Sequence, residues 1–334
     1  MTRKVTVVAP ANIAFIKYWG ARDLERALPM NASISMTLTE CASLSTVAFA
    51  DGSDEPDRIE LAGEDGSLTP PPASFRARAL AHLDRVRRWA RRDGSFRVAT
   101  RNSFPTGAGI ASSASGFAAL TIASTKALGL SLSVPELSDL ARMSGSGSAA
   151  RSVLGGYVAW SPQGEGAGHA VAIAPASHWD LRDVIALADH GEKDVSSLDG
   201  HRVAASSPHF EARQRILPER LAIVRRAIDE RDLDALGPVL EEEAIELHLI
   251  AMSSKPPIFY WKPGTVQVLE RLRGMRREGL RAWATMDAGA NVHVICTPEA
   301  EAPVIVALEG LSGVSGVLLD GVGEGPREEW EHLF

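Results

Sequence analysis

Apolar positions along this chain recur at two spacings, and the alternation between them separates strands from helices. Val5 to Val8 form a short β run, followed by a loop holding Pro10 and Asn12 and an apolar stretch over residues 13–20. Residues 33–39 and 43–50 alternate apolar with small polar side chains, which predicts two neighbouring strands in an antiparallel pair. Residues 75–92 place Ala79, Leu80, Leu83, Val86 and Trp89 at helical spacing, with arginines opposite. A strand at 96–100 leads into a Gly/Ser-rich stretch, 103–116, that opens a small-residue helix reaching Leu128. Ser133 with Glu136 three residues on is a capping box, so a second helix starts there and ends before 144–148.

Strand patterns follow at 155–160, 169–174 and 181–187, the last opening a second half. Beyond it come two charged amphipathic helices at 208–230 and 233–252 and a further helix at 265–278, with 195–201 read as a loop. Strand 282–286, a turn at 287–290, strand 291–296, helix 298–308 and strand 314–319 complete the chain. The expected architecture is α+β, with halves 1–178 and 179–334 and a cleft between them.

Composition narrows the class. The 334 residues are ample for a full core, and 45% apolar with 23% charged residues describe a globular chain. A net charge of −7 argues against nucleic-acid binding but leaves room for a locally basic pocket and a small anionic substrate. The two cysteines, Cys41 and Cys296, have no metal-ligand spacing, so neither a disulfide framework nor a protein metal site is expected. No apolar stretch is long enough to span a bilayer, which leads to the expectation of a cytoplasmic enzyme without a membrane partner.

The strongest local signal runs from Pro105 through Thr106, Gly107, Ala108, Gly109, Ile110 and Ala111 to Ser112, Ser113, Ala114 and Ser115. Glycines admit a ligand close to the backbone, and a helix N-terminus with serines offers free N–H groups and partial positive charge to phosphate. No Gly-Lys-Ser/Thr follows, so it is not a Walker loop. A tight turn into a packed helix is the other reading of that stretch.

The same stretch resembles the ATP-phosphate loop of the GHMP kinase superfamily, with Ile110 in place of leucine. Residues 9–20, with Asn12, Lys17, Tyr18 and Trp19, resemble the N-terminal signature of diphosphomevalonate decarboxylases. Gly145-Ser146-Gly147-Ser148-Ala149-Ala150-Arg151-Ser152 resembles their substrate loop, and Met286 to Asn291 their catalytic aspartate turn, with Ala290 where proline is usual. The motifs stand in family order and spacing. The resemblance implies the GHMP kinase fold with a ferredoxin-like C-terminal half, ATP with Mg²⁺, a mevalonate phosphate as substrate and, commonly, a homodimer. It implies phosphorylation of a tertiary hydroxyl, then loss of phosphate and carbon dioxide.

Chemistry assigns expected roles. Asp287 is the candidate base for the hydroxyl proton, although an Asx turn would use the same residue. Lys17, in an apolar run, needs an anion, and pairing with Asp287 would keep the base ionised; snorkelling to solvent is the alternative. Arg151 offers a planar fork to the substrate carboxylate, the role its place in the family motif implies; capping a helix near Ser146 and Ser148 is the alternative. Ser113 is expected at the reacting groups, and Asn102, Pro105, Gly107, Ala108, Gly109 and Ser112 along ATP. Asn12 is expected to hydrogen-bond the substrate or to support the base, and Tyr18, Ser146, Gly147, Ser148 and Ser197 are expected on the substrate.

Two positions depart from the family. Ala21 stands where a lysine contacts the terminal diphosphate, and Leu198 where an arginine does. Losing both favours mevalonate 5-phosphate over the 5-diphosphate, unless Arg22, Lys193 or His201 replaces the charge. A 3-kinase that stops before decarboxylation and a non-catalytic ligand sensor are the remaining readings. Retention of Arg151 beside Asp287 and Lys17 weighs against the first, and retention of both the base and the phosphate loop against the second.

Overall fold

The structure, a computed structural model, describes residues 3–104, 112–162, 168–189, 191 and 194–334. Its first strand, β1 (Lys4–Ile16), is buried at every residue after Lys4 and therefore needs cover on both faces. Pro10 and Asn12 do not sit in a loop, as the sequence suggested, but at a shift of register within that strand. A bulge is where a paired strand tolerates proline. A short ribbon follows, β2 (Ala21–Asp23) with β3 (Leu28–Pro29).

The strand pair expected at 33–39 and 43–50 is instead one strand of 19 residues, β4 (Ser33–Asp51). Both of its stretches lie against β1. Reversal would need turn residues between them, and Glu40, Cys41 and Ala42 supply none. The next elements are β5 (Arg58–Ala62), β6 (Leu68–Thr69), α1 (Ala73–Ala90), β7 (Gly94–Asn102) and α2 (Ser112–Ala127). They lead to α3 (Val134–Arg142), which starts at the expected Ser133–Glu136 capping box, then β8 (Tyr157–Trp160) and β9 (Ala170–Ala174). The small residues of α2 let it lie directly on β1 and β4 and bury it almost all round.

The remaining elements are β10 (Arg182–Ala186), α4 (Ser197–Val203), α5 (Phe210–Glu230), α6 (Leu233–Ser253), α7 (Pro263–Arg277), β11 (Ala282–Thr285), β12 (Val292–Cys296), α8 (Pro298–Glu309), β13 (Val317–Gly321) and β14 (Arg327–Glu329). Helix α4 occupies residues read as a loop, with the Ser196 side chain accepting the Asp199 N–H at its start. The first sheet runs β14-β1-β4-β7-β5-β6, with β8 and β9 branching from β4. The second runs β11-β12-β10-β13, wholly antiparallel, which is the ferredoxin-like order.

One face of the second sheet, with Val184, Val292 and Val294, packs in a core with Val268, Leu272 and Val304 of α7 and α8. The other face, with Ile185, Trp283 and Ile295, shares a core with Phe15, Ile34 and Met36 of β1 and β4 and with α5 and α6. Gly237 permits the close approach of α6 to β11, since a Cβ there would meet the Trp283 ring at 2.1 Å. This shared core holds the two sheets together, and the end of β1 lies beside the β11–β12 turn. No described helix is long and apolar enough to cross a membrane.

Candidate active site

Lys17 follows the last residue of β1 and is only 1% exposed, yet its ammonium reaches Asp287 Oδ1 at 3.0 Å. Asp287 lies on the turn between β11 and β12, where the Gly289 N–H donates to the Asp287 carbonyl at 2.7 Å and tightens the bend. Burial alone raises the Asp287 carboxyl, but the charge and hydrogen bond of Lys17, aided by His293 and Arg151, hold it below its ordinary range. Burial also lowers the Lys17 ammonium, and Asp287 and Glu243 only partly oppose that.

Arg151 closes the 3₁₀ turn Gly147–Ala150, and burial pushes its guanidinium down to about 10, which still leaves it cationic at neutral pH. Its Nε donates to Asn12 Oδ1 at 3.1 Å and its Nη1 to Ser33 Oγ at 2.7 Å. Asn12, expected on the substrate, is thus engaged with Arg151, and its Nδ2 donates to Ser152 Oγ at 2.8 Å. It orients the arginine from behind; the cavity wall is made by others.

A cavity of about 120 Å³ is lined by Lys17, Tyr18, Ser112, Ser113, Ser148, Arg151, Ser197 and Asp287. A second, of about 50 Å³, shares Tyr18, Ser113, Ser148 and Ser197 with it and adds Ser146, Gly147, Leu198 and Arg78. Ser113 Oγ lies 3.1 Å from Ser146 Oγ, so the start of α2 and the 145–152 loop meet at the cavity. The Tyr18 ring is held edge-on to Trp160 and 4.1 Å from the His201 ring. Gly147 makes room for that ring, because a Cβ would come within 2.6 Å of Tyr18 Cε1.

Asn102 is placed apart from this group, with Oδ1 accepting from Ser43 Oγ at 2.7 Å. It lines a separate groove of about 840 Å³ together with Arg101 and Ser103. Pro105, Gly107, Ala108 and Gly109, expected on the ATP phosphates, lie outside the described residues. Among the described residues no group of three or more His, Cys, Asp or Glu could hold a metal ion.

His201, considered as a replacement cation, is not one. Its Nδ1 accepts the Gly20 N–H at 3.0 Å, and burial pushes its pKa down to about 3. Arg78 of α1 was missed by the sequence reading, which turned that helix's arginines outwards. Its Nε is buried without a hydrogen-bond partner among the described residues, and its guanidinium lies 4.7 Å from the Phe117 ring centroid. Burial lowers its pKa. The overlooked signal was spacing: Arg78 stands three residues after Phe75 and four before His82, so it shares their covered face.

Comparison with known proteins follows the same geometry. Residues 9–172 match the diphosphomevalonate decarboxylase-like N-terminal domain, and residues 184–327 the mevalonate 5-diphosphate decarboxylase C-terminal domain. The chain belongs to the diphosphomevalonate decarboxylase family. The family's Candida albicans member is 34% identical over 98% of this chain and 98% of its own. The mevalonate diphosphate decarboxylase of Staphylococcus aureus has a TM-score of 0.89 at 30% identity, covering 98% of both chains. That of Enterococcus faecalis has a TM-score of 0.87 at 33% identity, covering 98% of this chain and 99% of its own. The GHMP kinase fold expected from the resemblance is therefore the fold of this chain. These relatives carry the diphosphate in their names.

Proposed function

We propose that the chain is an ATP-dependent decarboxylase of mevalonate 5-diphosphate, which phosphorylates the 3-hydroxyl and releases phosphate and carbon dioxide to leave isopentenyl diphosphate. The observation that carries this reading is the Lys17–Asp287 ion pair, which shares one cavity with Arg151 and with Ser113 at the start of α2.

Asp287 is the base. Ionised by its lysine and partly open to the cavity, it takes the proton of the tertiary hydroxyl as that oxygen attacks the γ-phosphorus of ATP. Arg151, aimed by Asn12 and Ser33, receives the C1 carboxylate. When the C3–O bond breaks and phosphate leaves, the C1–C2 electron pair forms the alkene and C1 departs as carbon dioxide. The start of α2, with Ser112 and Ser113, suits the triphosphate, and the groove at Asn102 suits the nucleoside. Mg²⁺, for which the described side chains form no cage of their own, supplies charge neutralisation on the triphosphate. A solved structure with a TM-score of 0.89 to this chain is a complex with MVAPP, AMPPCP and magnesium, which supports the assignment of nucleotide and metal.

Arg78 supports the diphosphate. It places a cation beside Ser146 and Gly147, with a buried Nε that has no hydrogen-bond partner among the described residues, at the end of the cavity where Leu198 supplies none. Mevalonate 5-phosphate is the second reading, favoured by Ala21, Leu198 and the neutral His201. Release of carbon dioxide and ADP, measured with mevalonate, its 5-phosphate and its 5-diphosphate side by side, tests both. A kcat/KM at least tenfold higher for the monophosphate overturns the diphosphate reading. ADP without carbon dioxide overturns decarboxylation.

A further inference from the structure

Behind Lys17, on the side away from the cavity, lies a second carboxylate that the reaction does not touch. Glu243 of α6 and Arg213 of α5 are both fully buried and pair at 2.8 Å. Both also hold the main chain of Lys17: its N–H donates to Glu243 Oε2 at 3.1 Å, and its carbonyl accepts from Arg213 Nη2 at 2.8 Å. Asn31 Nδ2 adds a third bond, to the same carbonyl, at 2.9 Å. The other oxygen of Glu243 accepts from Arg220 Nη1 at 2.6 Å. A residue just past a strand end is thus fixed by side chains 196 and 226 positions away in sequence.

A buried arginine–glutamate pair is a poor device for stability, because apolar residues of similar volume serve as well or better. Fixing one peptide, and placing a negative charge behind a buried ammonium, is something apolar residues cannot do. We propose that Glu243 is a positioning residue for the reaction: with Arg213 and Asn31 it fixes the Lys17 peptide so that the ammonium meets Asp287, and its charge counterbalances that ammonium from the rear. This rests on the decarboxylase reading for the role of Lys17.

The charged groups around Lys17 are Asp287 on the β11–β12 turn, Arg151 on the 3₁₀ turn, Glu243 on α6, Arg213 on α5 and, across the sheet interface, Asp183 of β10. Burial lowers the lysine; Asp287 and then Glu243 oppose that, and Arg151 adds to it. Burial raises Glu243 itself, but Arg213, the Lys17 N–H and Arg220 outweigh burial and keep it ionised. Removing its charge therefore lowers the Lys17 pKa further, so the protonated, working lysine is lost at a lower pH.

Glu243→Gln keeps an oxygen for the Lys17 N–H and deletes the charge, at the cost of the acceptor that Arg220 uses. The expected result is a kcat lowered on the order of tenfold, KM values for ATP and substrate nearly unchanged, and a basic limb of the kcat profile moved to lower pH. Glu243→Asp should restore part of that limb. A folded Glu243→Gln protein with the wild-type limb overturns the inference, because a merely structural role would alter thermal stability and leave the limb in place. If Glu243→Gln does not fold, the paired change Arg213→Met with Glu243→Leu replaces both charges by apolar bulk, and a wild-type profile there overturns the inference equally. NMR titration of ¹³C-labelled lysine reads the Lys17 midpoint without turnover. A midpoint lowered in Glu243→Gln, together with a wild-type protein that releases no carbon dioxide, would retain the electrostatic coupling and reject the decarboxylase reading, and an unmoved midpoint rejects the coupling.

Discussion

Lys17 and Asp287 stand 270 residues apart in sequence and 3.0 Å apart in space, joining the end of β1 to the β11–β12 turn. The pair is unequal in exposure: the lysine side chain is 1% accessible and the aspartate 26%. A base must be reached by its substrate, whereas the group that keeps it ionised works best away from water. The geometry divides the two tasks between the two residues.

If Asp287 takes the hydroxyl proton, Asp287→Asn lowers kcat by roughly a hundred- to ten-thousandfold, because the amide cannot accept that proton. KM for ATP stays close to wild type, since the carboxylate is not part of the α2 start. Steady-state kinetics with coupled ADP detection checks both, and near-normal turnover in the folded variant removes Asp287 from the chemistry.

Lys17→Met leaves a buried carboxylate without its main partner. Burial then dominates, so the Asp287 pKa rises and the acid limb of kcat moves to higher pH. The stability effect has a definite sign as well. A carboxyl lowered in the folded state stabilises it above the unfolded pKa, and that contribution disappears as pH falls through the folded value. Wild-type protein should therefore lose stability in acid more steeply than the Lys17→Met variant, as thermal melts across the acid range would reveal.

Much of this was legible in the chain. The amphipathic helices α5 and α6 announced themselves through regular spacing, and the motifs carrying Lys17, Arg151 and Asp287 through their resemblance to a known family, with Lys17 also an unusual cation in an apolar run. Other features were hidden for physical reasons. Strand β4 runs past Thr39 and Glu40, an exposed polar pair that interrupts the buried run. Asp320 of β13 accepts the N–H groups of Thr39, Glu40 and Cys41 at 2.6, 3.1 and 2.8 Å, a tertiary bond that no local pattern announces. The role of Asn12 behind Arg151 depends on a partner 139 residues away. Arg78 was lost because a charged residue on an arginine-rich helix reads as solvated unless its neighbours at i−3 and i+4 are weighed.

Gly147 offers a steric test of the substrate pocket. Its backbone φ needs no glycine, but a methyl group there would lie 2.6 Å from Tyr18 Cε1 and 3.0 Å from Trp160. Gly147→Ala must therefore push the Tyr18 ring away from its place between Trp160 and His201. The expected outcome is a raised substrate KM, with ATP affinity little altered. A wild-type substrate KM would mean that the ring's position is unimportant to binding.

The last prediction concerns the phosphate end of the substrate. Arg78 brings one cation to the cavity, while Leu198 at the start of α4 and Ala21 bring none. A charge-assisted hydrogen bond is worth about 1.5–3 kcal/mol, so Arg78→Met should lower kcat/KM for the mevalonate phosphate by roughly ten- to a hundredfold. Its KM for ATP should barely change. The loss should be larger for the 5-diphosphate than for the 5-phosphate if the terminal phosphate is the arginine's partner, and equal for both if the inner phosphate is. The double change Ala21→Lys with Leu198→Arg adds two cations at the same end and should raise the ratio of diphosphate to monophosphate turnover. Competition between the two substrates, followed by mass spectrometry of the products, measures that ratio directly. An Arg78→Met protein with unchanged kinetics on both substrates would show that the phosphate end lies elsewhere, and would remove the structural support for the diphosphate.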